Sequence, residues 1–168
     1  MVSRFYKNIY INPRIFLGVL VVVSAYIIAF YYSWFENIAN FIVLTFAAVC
    51  IADLVLLFAP KKGIIADRSM AEMFSLGDIN FVEINVQSEY ALPIKIELVD
   101  ELPFQFETRD FSIKSSLASK ERRSFKYELT PYTRGEYKFG KLHVFIANRI
   151  PGFFQRRISL PSNQTTKV

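Results

Sequence analysis

The chain has 168 residues, 52% of them hydrophobic, a net charge of +5 and a mean hydropathy of +0.26. Its single cysteine, Cys50, and single histidine, His143, exclude an internal disulfide, a cysteine-based metal site and multi-histidine metal chemistry within one chain. The excess hydropathy lies in the first sixty residues, and the ~105 that follow are enough for one small domain with its own core.

Residues 1–14 form a basic tail carrying Arg4, Lys7 and Arg14 and no acid. Residues 15–60 read as a transmembrane helical hairpin. One uncharged apolar stretch covers residues 15–35 and a second covers residues 37–60; Glu36 separates them and Asp53 alone interrupts the second. Each stretch reaches the roughly 20 residues that a helix needs to cross a bilayer core. Lys61 and Lys62 follow the second span, so both outer flanks are basic. The positive-inside rule then places both termini and the soluble domain in the cytoplasm, as a multi-pass protein of the inner membrane, with the turn outside. Tyr26, Tyr31, Tyr32 and Trp34 gather toward the turn, where aromatic side chains favour the interface. A cleaved signal peptide fits less well. The first apolar run is too long, no small-x-small cleavage site follows it, and a second span begins at once.

Asp53 is the one ionisable residue inside a span, and an intramembrane carboxylate is a functional candidate by default. It lies about two turns before Lys61, where a structural or helix-pairing role is favoured. A proton or ion path would need partner carboxylates, which the first span lacks. Cys50 reads as a small apolar packing residue.

Residues 61–76 are expected to form a linker and first strand, residues 77–160 a β-sandwich domain, and residues 161–168 a tail or the start of a further domain. Val82, Ile84 and Val86 alternate with Glu83, Asn85 and Gln87; the same period recurs at Ile94, Ile96 and Leu98, at Phe125, Tyr127 and Leu129, and at Leu142, Val144 and Ile146. Period two with one apolar side marks half-buried strands. Gly77-Asp78, Pro93, Leu102-Pro103, Pro131 and Arg134-Gly135 break the runs. Six to eight such strands predict an all-β antiparallel, Ig-like sandwich behind the two-helix hairpin. The phase slips at Gly140, which requires a bulge or a short turn. Residues 110–121 read as a loop. His143 falls on the outward side of its strand and reads as a solvated surface residue. Asp100 and Glu101, as strand neighbours, point to opposite faces and read as a turn flank.

Charge is divided along the chain. Acids outnumber bases about two to one in residues 61–110, and bases outnumber acids about four to one from residue 111 onward. This pattern fits pairing of an acidic and a basic half in one sheet, or a basic face on anionic headgroups. No nucleic-acid motif accompanies the bases. No Walker A loop, dinucleotide fingerprint or nucleophile elbow is present, so no catalytic, cofactor-binding or metal-binding residues are assigned and no enzyme is expected.

The run Tyr127-Glu128-Leu129-Thr130-Pro131-Tyr132-Thr133-Arg134-Gly135-Glu136-Tyr137-Lys138-Phe139-Gly140 resembles the y-x-L-x-P-x-x-R-G-x-Y-x-F-G segment of the bacterial domain of unknown function 58 family. Gly77-Asp78, Glu101-Leu102-Pro103 and Pro151-Gly152-Phe153-Phe154 stand in the order that family shows. The resemblance covers essentially the whole chain. It departs at Asn148-Arg149, where many members have Asp-Pro, and it lacks the larger C-terminal region that resembles a von Willebrand factor type A domain. Members accompany MoxR-type AAA+ ATPases, which implies a membrane-anchored, non-enzymatic scaffold in an ATPase-linked assembly or maturation system. Candidate interaction residues are Arg134, Gly135 and Tyr137 in the matched run, and Arg156 and Arg157 in the basic half. In the matched turn Pro131 fixes φ and Gly135 permits positive φ. Tyr132 or Tyr137 would act as a tyrosine corner. The alternative function is a stand-alone structural or sensory protein whose basic face contacts anionic lipids.

Overall fold

A computed structural model describes residues 8–108, 111–161 and 164–168. Arg4 and Lys7 of the basic tail, Asp110 at the start of the expected loop, and residues 162–163 of the C-terminal segment lie outside the described residues. The chain forms two compact units. One takes the residues up to Ala59 together with Ala147–Arg156; the other takes Pro60–Ile146 and Arg157–Val168.

The first unit opens with a short strand, β1 (Ile9–Ile11), inside the segment read as a basic tail. Helix α1 (Arg14–Tyr31) follows, then a 3-10 turn (Ser33–Phe35) and helix α2 (Glu36–Phe58). Pro13 stands at the start of α1, where a missing N–H costs nothing and its φ of −50° suits the helix. Both helices are long and apolar enough, by length and composition, to cross a membrane, and little of either is buried. Phe16, Leu17, Phe30, Phe41 and Leu44 are all largely exposed. The seam between the helices is narrow. Ala25 and Ala39 are buried in it, the Phe46 ring occupies the space a side chain at Gly18 would need, and Tyr26 Oη donates to Asn40 Oδ1 at 2.8 Å.

The second unit is all β. Strands β2 (Ile64–Met70), β3 (Asn80–Ser88) and β6 (Arg122–Leu129) form one antiparallel sheet in the order β2-β3-β6. Strands β4 (Ile94–Asp100) and β5 (Ser112–Leu117) pair antiparallel in the other, beside β8 (Leu142–Asn148) and β9 (Phe154–Leu160), in the order β9-β8-β4-β5. A ribbon of β7 (Glu136–Lys138) and β10 (Thr165–Lys167) completes the unit, so part of the segment read as a tail or further domain is a paired strand. Alternation drives the core. Val82, Ile84 and Val86 from one sheet and Ile94, Ile96, Leu98, Leu142, Val144 and Ile146 from the other are buried, and each such side chain contributes about 1.5–3 kcal/mol on leaving water.

A buried polar cluster ties the two sheets together. The Arg68 guanidinium on β2 pairs with the Asp100 carboxylate on β4, both side chains fully enclosed. Tyr127 Oη on β6 donates to the other Asp100 oxygen at 2.6 Å, Arg68 also donates to Gly140 O at 3.2 Å, and its guanidinium lies 4.9 Å from the Phe139 ring centre. Burial pushes the Asp100 carboxyl above its ordinary range, against the pull of Arg68 and Tyr127. Burial, then the neighbouring Asp100, likewise raises the Tyr127 phenol.

Three expectations are corrected. Residues 112–117 are not loop but strand β5, because Ile113, Ser115 and Leu117 share its inward face against β4. Asp100 is not a turn flank: its side chain faces the core. His143 is buried rather than solvated, since both faces of β8 are covered. The phase slip at Gly140 is a short turn. There the chain leaves β7 and enters β8 in the other sheet, held by Gly140 N donating to Glu101 O at 2.9 Å.

Removing one partner of a buried ion pair strands the other. Asp100→Ala in the full chain is expected to destabilise the sandwich by about 3–5 kcal/mol. The paired change Arg68→Met with Asp100→Leu should recover much of that loss. Denaturant titration followed by near-ultraviolet circular dichroism measures both; a single variant as stable as the parent would contradict the role given to the pair.

Candidate functional site

The helices and the hairpin between β8 and β9 meet at one carboxylate. Gly18 faces Phe46 and Tyr26 faces Asn40, so each step toward the start of α1 matches a step toward the end of α2. Arg14, the first residue of α1, is then level with residues 50–52. Asp53 therefore lies just beyond the level where α1 begins, and the surface of α2 that α1 does not cover there is taken by the hairpin.

The Asp53 side chain is 1% exposed. Its Oδ2 accepts from the backbone N–H of Phe153 at 2.8 Å and of Phe154 at 3.1 Å; Oδ1 accepts from Asn148 Nδ2 at 2.8 Å. Asn148 Nδ2 also reaches the Asp53 backbone O at 3.0 Å. The carboxylate thus stands in for the backbone partners that a hairpin loop lacks, and charged acceptors make the stronger hydrogen bonds. The loop is shaped to allow this. Gly152 has φ +67° and sits so close to Asn148 O that a Cβ there would be 2.5 Å from it, so only glycine fits. The bond between Ile150 and Pro151 is cis. The Phe153 ring packs on Phe46 with centres 5.7 Å apart, and β1 adds a strand, pairing antiparallel with the start of β9 while Asn12 N donates to Phe153 O at 2.8 Å. Of the structural and helix-pairing roles expected for Asp53, its described hydrogen bonds fit the first: its partners come from the β-hairpin and not from α1.

Arg156 serves the same unit. Its guanidinium lies 5.1 Å from the Phe58 ring centre and 3.4 Å from Leu57 O, placing a cation at the C-terminal end of α2, whose last turn carries none of its own. Arg157 belongs to the second unit, where it lies 5.8 Å from the Phe145 ring centre and 3.1 Å from both ring nitrogens of His143. Both arginines, read from sequence as interaction residues, are half-buried and turned to internal partners.

In the second unit His143 links Glu101, the residue after β4, to β9. Nε2 is 2.7 Å from Glu101 Oε1 and Nδ1 is 2.8 Å from Ser159 Oγ. The order carboxylate, imidazole, hydroxyl invites comparison with a nucleophilic triad. Here, however, Arg157 covers the ring and the second Glu101 oxygen is held by Lys141 N at 2.9 Å. The cluster braces the ends of three strands. That backbone bond, then the His143 contact, holds the Glu101 carboxyl below its ordinary range. Among the described residues no group of three His, Cys, Asp or Glu side chains gathers to hold a metal ion.

The matched turn is resolved into parts. Tyr137 is buried and its Oη donates to Thr133 O at 2.8 Å, the geometry of a tyrosine corner, while Tyr132 is 83% exposed. Gly135 has φ +149° and exchanges backbone hydrogen bonds with Val168. Arg134 is exposed. The structure does not bring Arg134, Gly135 and Tyr137 into one site with Arg156 or Arg157 through any described contact.

No family model matches the chain, and no curated protein sequence matches it. Among solved structures, the CARDB domain of PF1109 from Pyrococcus furiosus is similar at 12% identity and a TM-score of 0.38, over 58% of this chain and 93% of that one. The ASH/PapD-like domain of human CEP192 is similar at 12% identity and a TM-score of 0.43, over 64% of this chain and 88% of that one. Likenesses this distant say nothing about function, and the sandwich rests on the strand pairings above.

Asp53→Ala leaves two loop N–H groups without their acceptor and the Asn148 amide with only the backbone O of residue 53. It is expected to cost on the order of 3 kcal/mol and to speed proteolytic cutting within residues 149–152. Asp53→Asn, which keeps one acceptor oxygen, should cost less. Equal melting and equal cleavage in all three chains would refute the anchoring role. Because Glu101 has a lowered folded pKa, its stabilising contribution is present above the ordinary carboxylate range and is lost as pH falls through the folded value. Glu101→Gln should therefore be less stable than the parent near neutral pH, with the gap closing in acid, as read from melting temperatures across pH.

Proposed function

We propose that this chain is a membrane-anchored, non-enzymatic interaction module. The two apolar helices cross a bilayer as a hairpin and the sandwich is presented on the cytoplasmic side. The observation that carries this reading is the exposure of the helices: both are predominantly apolar yet most of their side chains are exposed, as expected where the surrounding medium is lipid rather than protein. The first unit answers the usual objection to a charge near a span, because every Asp53 oxygen is hydrogen-bonded to the hairpin. The resemblance of residues 127–140 to the domain of unknown function 58 family supports a finer reading. In that reading the module belongs to an assembly or maturation system driven by a MoxR-type AAA+ ATPase, and the exposed Arg134 is the first residue to examine for contact.

The test uses the tagged full chain in membranes of its source organism. Retention in the membrane after an alkaline carbonate wash is expected, as is recovery of an AAA+ ATPase from detergent extracts in one nucleotide condition. Release by the wash would sink the membrane reading. Retention without any ATPase, with or without ATP, would sink the ATPase-linked reading alone.

A further inference from the structure

The structure assigns the tip of the β8–β9 hairpin, Arg149 and Ile150, to the membrane interface: we propose that Ile150 enters the acyl boundary while Arg149 and Arg14 hold anionic phospholipid headgroups. This rests on the membrane reading above and deepens it.

The position comes first. Arg14 is the first residue of α1, and its Nη1 lies 3.4 Å from where a Cβ on Gly152 would stand. Phe153 reaches up α2 as far as Phe46, about two turns above Asp53. The tip is thus held at the level where α1 begins, which is where a bilayer surface would meet the hairpin. Phe16 and Leu17, exposed on α1, continue the apolar surface just beyond.

The composition of the tip comes second. Ile150 is 83% exposed at the end of the loop, and Ile11 on the adjoining β1 is 62% exposed. A large aliphatic side chain at a loop apex beside apolar helices is what an interfacial anchor presents. Charge complementarity comes third. The described acids of this unit are Glu36 and Asp53. Glu36 begins α2, at the far end from the tip, and Asp53 is buried with its oxygens turned inward to the hairpin. Of the arginines, Arg156 is turned to the end of α2. That leaves an exposed Arg149 and a half-buried Arg14 beside Gly152, with no exposed carboxylate among the described residues at this end of the unit. Such a surface suits a phosphate diester of a lipid such as phosphatidylglycerol, and each cation near an anionic surface strengthens binding roughly fivefold.

The experiment places a tryptophan at the tip of the full-length protein. The double variant Trp34→Phe with Ile150→Trp carries its one indole there, and the parent carries its own at Trp34. Both are reconstituted in phosphatidylcholine vesicles, with and without phosphatidylglycerol, containing lipids brominated near the headgroup or near the chain end. The expected result is a blue-shifted emission from the Ile150→Trp chain, quenched more by the shallow bromine than by the deep one. Adding Arg149→Gln should reduce that quenching several-fold in vesicles containing phosphatidylglycerol and leave it unchanged in phosphatidylcholine alone. Quenching of Trp34 without quenching at the tip overturns the proposal while the spans stand. No quenching at either position removes both. Equal quenching with Arg149→Gln in the two lipid mixtures overturns the recognition of anionic headgroups.

Discussion

The hydrogen-bonded carboxylate of Asp53 is the constraint on which the first unit depends. A loop between two strands leaves backbone N–H groups without ladder partners, and where they are packed away from water they need another acceptor. Asp53 supplies two acceptor oxygens from a helix, and three donors from Asn148, Phe153 and Phe154 converge on them. Neither side of this arrangement is comfortable alone: the carboxylate is costly in an apolar helix, and the loop is unsatisfied without it. Together they fix where the hairpin stands on α2. The positions of Gly152, Phe153 and β1 follow from that one anchor.

The second unit uses the opposite solution to a similar problem. Its sheets are held by alternating aliphatic side chains, which specify burial but not which strand faces which. The Arg68–Asp100–Tyr127 cluster adds direction, because a buried pair tolerates only one geometry and leaves a stranded charge in any other. The cost is accepted at the point where β2, β4 and β6 come together, and the Phe139 face and Gly140 carbonyl complete the shell around the guanidinium. His143, with Glu101, Ser159 and Arg157, repeats the device on a smaller scale between β4, β8 and β9.

These two solutions bear on how the arginines of the basic half should be read. Charge counts treat Arg134, Arg149, Arg156 and Arg157 alike. Their surroundings do not. Arg156 ends a helix and Arg157 covers an imidazole, so their charge is directed inward, whereas Arg134 and Arg149 are exposed at turns of different units. A surface available to a partner or a lipid therefore has to be sought at the turns rather than along β9.

What the sequence by itself determined is what local spacing encodes. Apolar runs of helical length made α1 and α2, the second broken only by Asp53, and period-two alternation made β3, β4, β6 and β8, because these depend only on which way each side chain points from its own backbone. The tyrosine corner was legible only as a choice between Tyr132 and Tyr137; burial decided it for Tyr137, whose partner Thr133 lies four residues away. Other features were decided by the tertiary structure. Strand β5 hides in a serine- and lysine-rich stretch until β4 gives it a partner, and β1 is strand only because β9 lies beside it. His143 alternates outward on its own strand but is covered by Glu101, just after β4, and by Ser159 and Arg157 of β9. Asp53 and Asn148 stand 95 positions apart, and no periodicity reaches that far. Local spacing states which face a residue occupies; only packing decides what occupies the space in front of it.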